Sequence, residues 1–483
     1  MEDKRDIPQA KRLGLAQLAA IVFGAVVGIG IFNIAQNMAV GAQVGAVILS
    51  WVITGVGILF LVFTFKTLAD ARPDLNAGIY QYAQQGFGDY VGFNIAWGYW
   101  LCTAFGNVAY AVMLNDAFGA FWPRLHDHGW PTVVVGSGLI WTMFFVVSRG
   151  VRTASLLNLL ITIIKIATIV LIGVILAIFF RAGLFSSDFW GHASPELGSV
   201  EEQVRSTMMV TLWCFIGIEG AVVMSARAKR PHDVGRASVL GFALAWALYV
   251  LVSVLCYGVM SQPEMAELPN PSLAYILIKL CGEWAYYFVI IAVIVSLLGG
   301  WVAWTLICAQ VPSEAAQVGI FPRIFLRRNH EGVPIYGLFI SAIVMQIFIA
   351  LVVTAQHVYM AALEMTGMMV LPAYFFSGLF LLKASLRPQK YLVGVNRGRL
   401  WRYRAVAVVC VAFCCWLIYS GGLLLLMSTS LFYIPGLYFY IKARQGHYPN
   451  EPRLSVADQC ILAGLILCAI MSVILLIGGK IVL

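Results

Sequence analysis

Apolar stretches of about 20 residues recur along this chain from end to end, separated by shorter polar and charged segments. A helix of that length crosses the roughly 30 Å of a bilayer's hydrocarbon core. The pattern predicts thirteen spans, near 13–35, 43–66, 90–120, 131–147, 154–180, 206–225, 238–260, 285–309, 334–354, 360–384, 404–420, 422–441 and 459–479. Between spans, Leu75 to Gly86 reads as an ordered stretch at the interface, and Glu314 to Pro334 as an amphipathic helix ending at a proline-bounded turn.

Two spans are interrupted. The first carries Gly24, Gly28 and Gly30; the sixth carries Gly217 and Gly220 with Glu219 between them. Each glycine in a helix interior costs roughly 1 kcal/mol relative to Ala. Irregular backbone at membrane depth is tolerated only where protein buries it or where it lines a cavity. One reading is a small-residue packing face. The other is a transport site, because interruptions at matching places in two halves of a membrane chain point to one. The interrupted spans open two successive blocks of five. An opened first helix offers N–H donors to an anionic group, and Glu219 is an ionisable residue inside a membrane span.

Composition agrees with this pattern. Hydrophobic residues make up 61% of the 483 and charged residues 11%, against about 25% charged in soluble domains. The expectation is an all-α polytopic membrane protein. It divides into an N-terminal segment 1–12, a core 13–441, a loop 442–458 and an added terminal span within 459–483. The charged N-terminus shows no cleavable signal pattern. The net charge of +9 is unevenly placed: 25 of the 31 Lys and Arg fall on the side of the N-terminus. Only Arg124, Arg181, Arg205, Lys279 and Lys480 fall opposite, and Lys165 lies within a span. That asymmetry places the N-terminus in the cytoplasm and Leu483 outside, so the basic excess is topology and not a nucleic-acid footprint. The basic run Lys390 to Arg404 suits contact with anionic lipid. The opposite-side loop Ala182 to Val204 holds Asp188, Glu196, Glu201 and Glu202 and no Lys or Arg, which favours cations near the external mouth.

Soluble-enzyme chemistry has no foothold. There is no P-loop, HExxH or DxDxDG pattern, and the glycine series lacks the βαβ context of a dinucleotide site. The ten cysteines lack metal spacing and read as small core hydrophobes. Histidines such as His126, His128, His330 and His357 sit in loops without paired ligands. No cofactor and no metal is expected.

The stretches Gly24-x-x-x-Gly28-x-Gly30-Ile-Phe32 and Trp213-x-Phe-Ile-Gly217-x-Glu219 resemble those of the amino acid–polyamine–organocation transporters. Trp97-Gly-Tyr-Trp-Leu-Cys102, Arg149-Gly150 and Gly217 through Arg227 are similar to the basic amino acid/polyamine antiporters, especially arginine/ornithine and arginine/agmatine exchangers. The likeness runs from about residue 12 to 445. It implies an inverted five-plus-five helix repeat with broken helices 1 and 6, twelve core spans and a thirteenth added. It also implies exchange of external L-arginine for internal agmatine or ornithine by alternating access, in the cytoplasmic (inner) membrane. Small-molecule substrates, membrane lipid and a second copy in a homodimer are the implied partners.

By the same resemblance the substrate sits among Val26, Gly28, Ile29 and Gly30, with Trp213, Cys214 and Ile216 at the second break. Trp301 is a further aromatic wall, and Asn107 lies against the guanidinium. As plain residues, Trp213 and Trp301 are equally core or packing aromatics, and Asn107 a bridge between helices. Tyr99, Glu219 and Tyr374 resemble a gate, and the empty pocket is expected to leave Glu219 poorly paired. Lys165 resembles the lysine that replaces bound sodium in sodium-free members, the alternative being an ion pair with an acid. Glu364 either greets a cationic side chain or sits at the interface. Rival functions are a proton-coupled symporter for a basic amino acid and a membrane sensor that does not transport.

Overall fold

The computed structural model describes residues 14–28, 30–75, 78–125, 129–150, 154–219, 231–350, 358–392, 395–450 and 454–478, and all regular structure among them is helical. The first half comprises α1 (Leu15–Val26), α2 (Gly30–Ala39), α3 (Val44–Ala71), α4 (Ile79–Phe87), α5 (Asp89–Gly119), α6 (Trp130–Ser148) and α7 (Ala154–Ile178). The rest comprises α8 (Val200–Trp213), α9 (Pro231–Cys256), α10 (Ser272–Cys281), α11 (Glu283–Gln317), α12 (Ile335–Ala350), α13 (Val358–Leu386), α14 (Leu400–Gly421), α15 (Leu423–Tyr433), α16 (Gly436–His447) and α17 (Val456–Ile477). Each of the thirteen predicted spans overlaps at least one of these helices. Among the described residues, seven helices are individually long and apolar enough to cross a membrane. An eighth crossing results when α15 and α16, bent by 46°, are taken together. The chain is a multi-pass membrane protein.

Burial sorts the helices. α5 is buried almost all round and packs against α13 and α11, while α1 lies along α9. A helix apolar on every face belongs at the centre of such a bundle. α17 lies at the margin, against α15, with Leu467 69% and Ile477 83% exposed, as suits a helix whose solvent is lipid. Pro312 and Pro372 sit inside α11 and α13, which membrane helices tolerate when neighbours re-satisfy the freed backbone.

Two non-spanning stretches test the sequence pattern. The interfacial stretch after α3 does contain a helix, α4. The stretch from Glu314 to Pro334 is not a separate amphipathic helix: Glu314 belongs to α11, which ends at Gln317. Gly319 at φ +85° then turns the chain, and only a short turn, Arg323–Leu326, follows Pro322. The loop between α7 and α8 carries a short helix, Ala182–Ser186. It leads into α8 through a capping box in which Ser199 and Glu202 exchange side-chain-to-backbone bonds. Ile29, Gly220, Arg227, His126, His128, His357 and Lys480 lie outside the described residues.

Candidate functional site

One predicted span forms two helices at its glycines. α1 stops at Val26, the chain bends through Val27 and Gly28, and α2 starts at Gly30. The bend keeps two backbone bonds, Val27 N–H to Phe23 O at 2.8 Å and Gly28 N–H to Val26 O at 2.9 Å. Side chains from the neighbouring helices take carbonyls around the break. Lys165 on α7 donates to Gly24 O at 3.2 Å and also to Val27 O. The Tyr249 hydroxyl on α9 donates to Val26 O at 3.2 Å. A buried carbonyl left unpaired costs about 1–3 kcal/mol, so these two side chains make the break tolerable at membrane depth. The ammonium of Lys165 therefore rests on carbonyls at the break and, among the described residues, not on a carboxylate.

The second break follows α8. Past Trp213 the chain runs as turns, with Phe215 N–H on Leu212 O at 2.9 Å and Ile218 N–H on Phe215 O at 3.1 Å. Gly217 adopts φ +105°, a backbone conformation that suits glycine. A Cβ there would stand 3.2 Å from the Trp304 ring and 3.4 Å from Ala25 O, so the turn also lies close against α1.

Tyr99, Glu219 and Tyr374 meet. Glu219 is 2% exposed. Its Oε1 accepts the Tyr99 hydroxyl of α5 at 2.5 Å; its Oε2 accepts the Tyr374 hydroxyl of α13 at 2.9 Å and the Gly217 N–H at 3.2 Å. The expectation that an empty pocket leaves this carboxylate poorly paired is corrected by these three donors. Burial of a charge is tolerated here because fixed donors replace its water.

Between the breaks lies a cavity of about 40 Å³. It has room for a few waters and not for an amino acid. Val26, Gly28, Gly30, Trp213, Cys214 and Ile216 line it. A Cβ at Gly30 would come 2.7 Å from the Trp213 ring, so the indole occupies the space that glycine leaves. Trp213 in turn meets Tyr359 edge-on, ring centroids 6.0 Å apart.

Asn107 and Trp301 are not in the lining. The Asn107 amide donates to Thr103 O at 2.7 Å and accepts from the Thr305 hydroxyl at 2.9 Å, bridging α5 to α11. Trp301 is fully buried behind Tyr110, with ring centroids 6.4 Å apart, and its indole N–H has no partner among the described residues. Trp304, one turn further along α11, faces the cavity instead. Glu364 is half-buried and also outside the lining, whereas Thr366, two residues on, is in it.

The sequence reading also passed over Cys102, Gly106 and Tyr110, which form one wall. With Tyr99 they recur at intervals of three and four, the spacing of one helical face, so that signal was present. Tyr249, Trp304 and Thr366 had no such local mark.

The arrangement suits one kind of molecule. The start of α2 presents N–H groups without helical partners and a positive dipole end, which favour a carboxylate. The end of α8 presents carbonyls and the opposite dipole, which favour an ammonium group. Trp213, Trp304 and Tyr110 offer ring faces to an apolar stem or a planar cation.

Comparison with known proteins finds relatives over most of the chain. The sequence pattern of the family described as amino acid permease matches residues 13–435. The chain is 44% identical over 441 residues to an arginine/agmatine antiporter of Chlamydia felis, covering 90% of each chain. It is 44% identical over 440 residues to one of Chlamydia pneumoniae, again covering 90% of each. It is 40% identical over 472 residues to one of Chlamydia trachomatis, covering 97% of each.

Proposed function

This chain belongs to the amino acid permease family, and from that membership we propose that it exchanges external L-arginine for internal agmatine by alternating access. The observation that carries the proposal is the meeting of two helix breaks of opposite polarity at one aromatic-walled pocket. Relatives named as arginine/agmatine antiporters, alike over 90–97% of the chain, support the choice of cargo. On this reading all thirteen predicted spans cross the cytoplasmic membrane with the N-terminus inside. Twelve of them form the transporting core with its inverted five-plus-five repeat, and α17 is the added one.

In this mechanism the α2 start, with Gly28, Ile29 and Gly30, holds the substrate carboxylate. The carbonyls past Trp213 hold its α-ammonium. Trp213 and Trp304 stack on the stem and guanidinium, and the pocket widens as they part. Asn107 reaches the guanidinium only by leaving Thr305, so its bridge opens as substrate enters. Lys165 stands in place of a coupling cation, which makes the exchange independent of sodium. Glu219 joins the second break to α5 and α13, so movement of the break must exchange its bonds to Tyr99 and Tyr374.

Counterflow in liposomes tests the reading. Vesicles preloaded with agmatine should take up labelled arginine far faster than empty ones. Equal accumulation by empty vesicles under a proton gradient alone would identify a symporter. Binding of arginine without uptake under any gradient would identify a sensor.

A further inference from the structure

A second cavity, of about 190 Å³, lies apart from the central pocket. The loop after α7, the α2–α3 turn and the loop after α9 wall it, at the end of the bundle that the charge asymmetry assigns to the outside. Its chemistry is one-sided. The Asp188 carboxylate lines it, held by the Ala193 N–H at 3.1 Å, the Ser194 hydroxyl at 3.0 Å and the Gln43 amide at 3.5 Å. Gln262 lines it too and is only 6% exposed; its amide nitrogen donates to Ala39 O at 2.7 Å, while its Oε1 has no partner among the described residues. A buried acceptor left unpaired is uncommon and costly, and a ligand with N–H donors removes that cost. Ser187 and Ser261 add hydroxyl oxygens, and Leu184 and Phe185 add apolar surface for a methylene stem. Among the described residues no Lys or Arg lines the cavity.

We propose that this cavity is a binding site for a small organic cation without a carboxylate, an alkylammonium or alkylguanidinium. An amino acid is disfavoured because its carboxylate would face Asp188 with no basic residue to receive it. The site also bears on the transport core. Gln262 holds Ala39 O, the last residue of α2, and the Tyr257 hydroxyl donates to Ala42 O at 2.7 Å. Gly30, at the other end of the same ten-residue helix, lines the central pocket. A cation bound between Asp188 and Gln262 therefore acts on the far end of the helix whose start faces that pocket. The site stands on its own geometry and not on the transport reading.

The test is equilibrium dialysis of labelled 1,4-diaminobutane against the full-length chain in lipid nanodiscs, with saturating arginine present and, in parallel, in a Gly30→Leu background. The expected result is one diamine per chain in both cases. Asp188→Asn keeps the hydrogen-bond acceptor but removes the charge, and should weaken binding roughly tenfold, as for loss of one charge-assisted bond. Ser187→Lys, at an exposed position on the cavity wall, should abolish binding by placing its own ammonium in the site. Thermal unfolding of both variants at the wild-type temperature would show that the loop holding Asp188 is intact. Competition by methylamine or by methylguanidine identifies the preferred head group. The proposal is overturned by any of three results: no diamine bound in the wild type, binding unchanged in both loop variants, or complete displacement by sodium at equal concentration. Loss of the diamine in the Gly30→Leu background would assign it to the central pocket and also overturn the proposal.

Discussion

Where α1 gives way to α2, the carbonyls around the break are held by side chains from distant helices, Lys165 of α7 and Tyr249 of α9. Where α8 ends, the turn is held largely by its own chain: Gly217 supplies the backbone conformation, and Glu219 binds the Gly217 N–H while reaching Tyr99 and Tyr374. The first break depends on its surroundings and the second on its sequence plus one shared carboxylate. At the first break an ammonium and a hydroxyl from other helices meet backbone carbonyls directly, whereas at the second the hydroxyls from other helices meet one carboxylate side chain of the break itself.

Substitutions at the two breaks sharpen that contrast. The largest effect is expected for Gly30→Leu. Even a Cβ there comes 2.7 Å from the Trp213 ring, so the side chain should fill the pocket and abolish arginine binding while the chain still elutes as a folded monodisperse species. Normal binding by calorimetry would sink the claim that the first break lines the site.

Lys165→Met should come next. It leaves the Gly24 and Val27 carbonyls unpaired at about 1–3 kcal/mol each, lowering the unfolding temperature markedly. In the wild type, exchange should proceed unchanged when sodium is replaced by another monovalent cation at fixed ionic strength. A steep sodium dependence would remove Lys165 from its cation-like place.

Gly217→Ala forces a side chain into positive φ, at roughly 1–2 kcal/mol. Because the second break is held locally, this loss should appear with little change at the first. Hydrogen exchange confined to residues near α8 would show it; equal loosening of α1 would break the contrast.

Trp213→Ala and Trp304→Ala should each weaken arginine binding by about 1–2 kcal/mol if their faces stack on the cation. Trp301→Ala should cost mainly stability, because Trp301 lies behind Tyr110 and outside the lining. A larger affinity loss for Trp301 than for Trp304 would reverse that ordering. The smallest binding effect is expected for Glu219→Gln, which keeps the acceptor for Tyr99 and leaves the lining intact. Exchange in liposomes should slow several times more than arginine binding weakens.

The membrane architecture and both breaks were legible because they follow from local rules. Apolar length marks a span, and glycine in a helix interior marks an interruption. Tyr99 and Glu219 were legible through motif likeness, and the structure joins them to Tyr374 across 155 residues. Other features lacked a local mark. Trp301 and Trp304 are one turn apart on the same apolar helix, and which of them faces the cavity depends on how α11 is rotated against α5. Asn107 read as a side chain for the substrate. Its bond to Thr305 depends on α11 packing beside α5, nearly 200 residues later in the chain.

The amino-acid sequence by itself determined that this chain is helical, that it lives in lipid and where two of its helices must open, because hydrocarbon thickness and glycine's backbone freedom act on neighbouring residues. The tertiary structure alone decided which groups satisfy those openings, how narrow the pocket is and what Glu219 binds. Those outcomes depend on distances between helices far apart in the chain, and burial makes every unpaired polar group costly enough for its nearest available partner to matter.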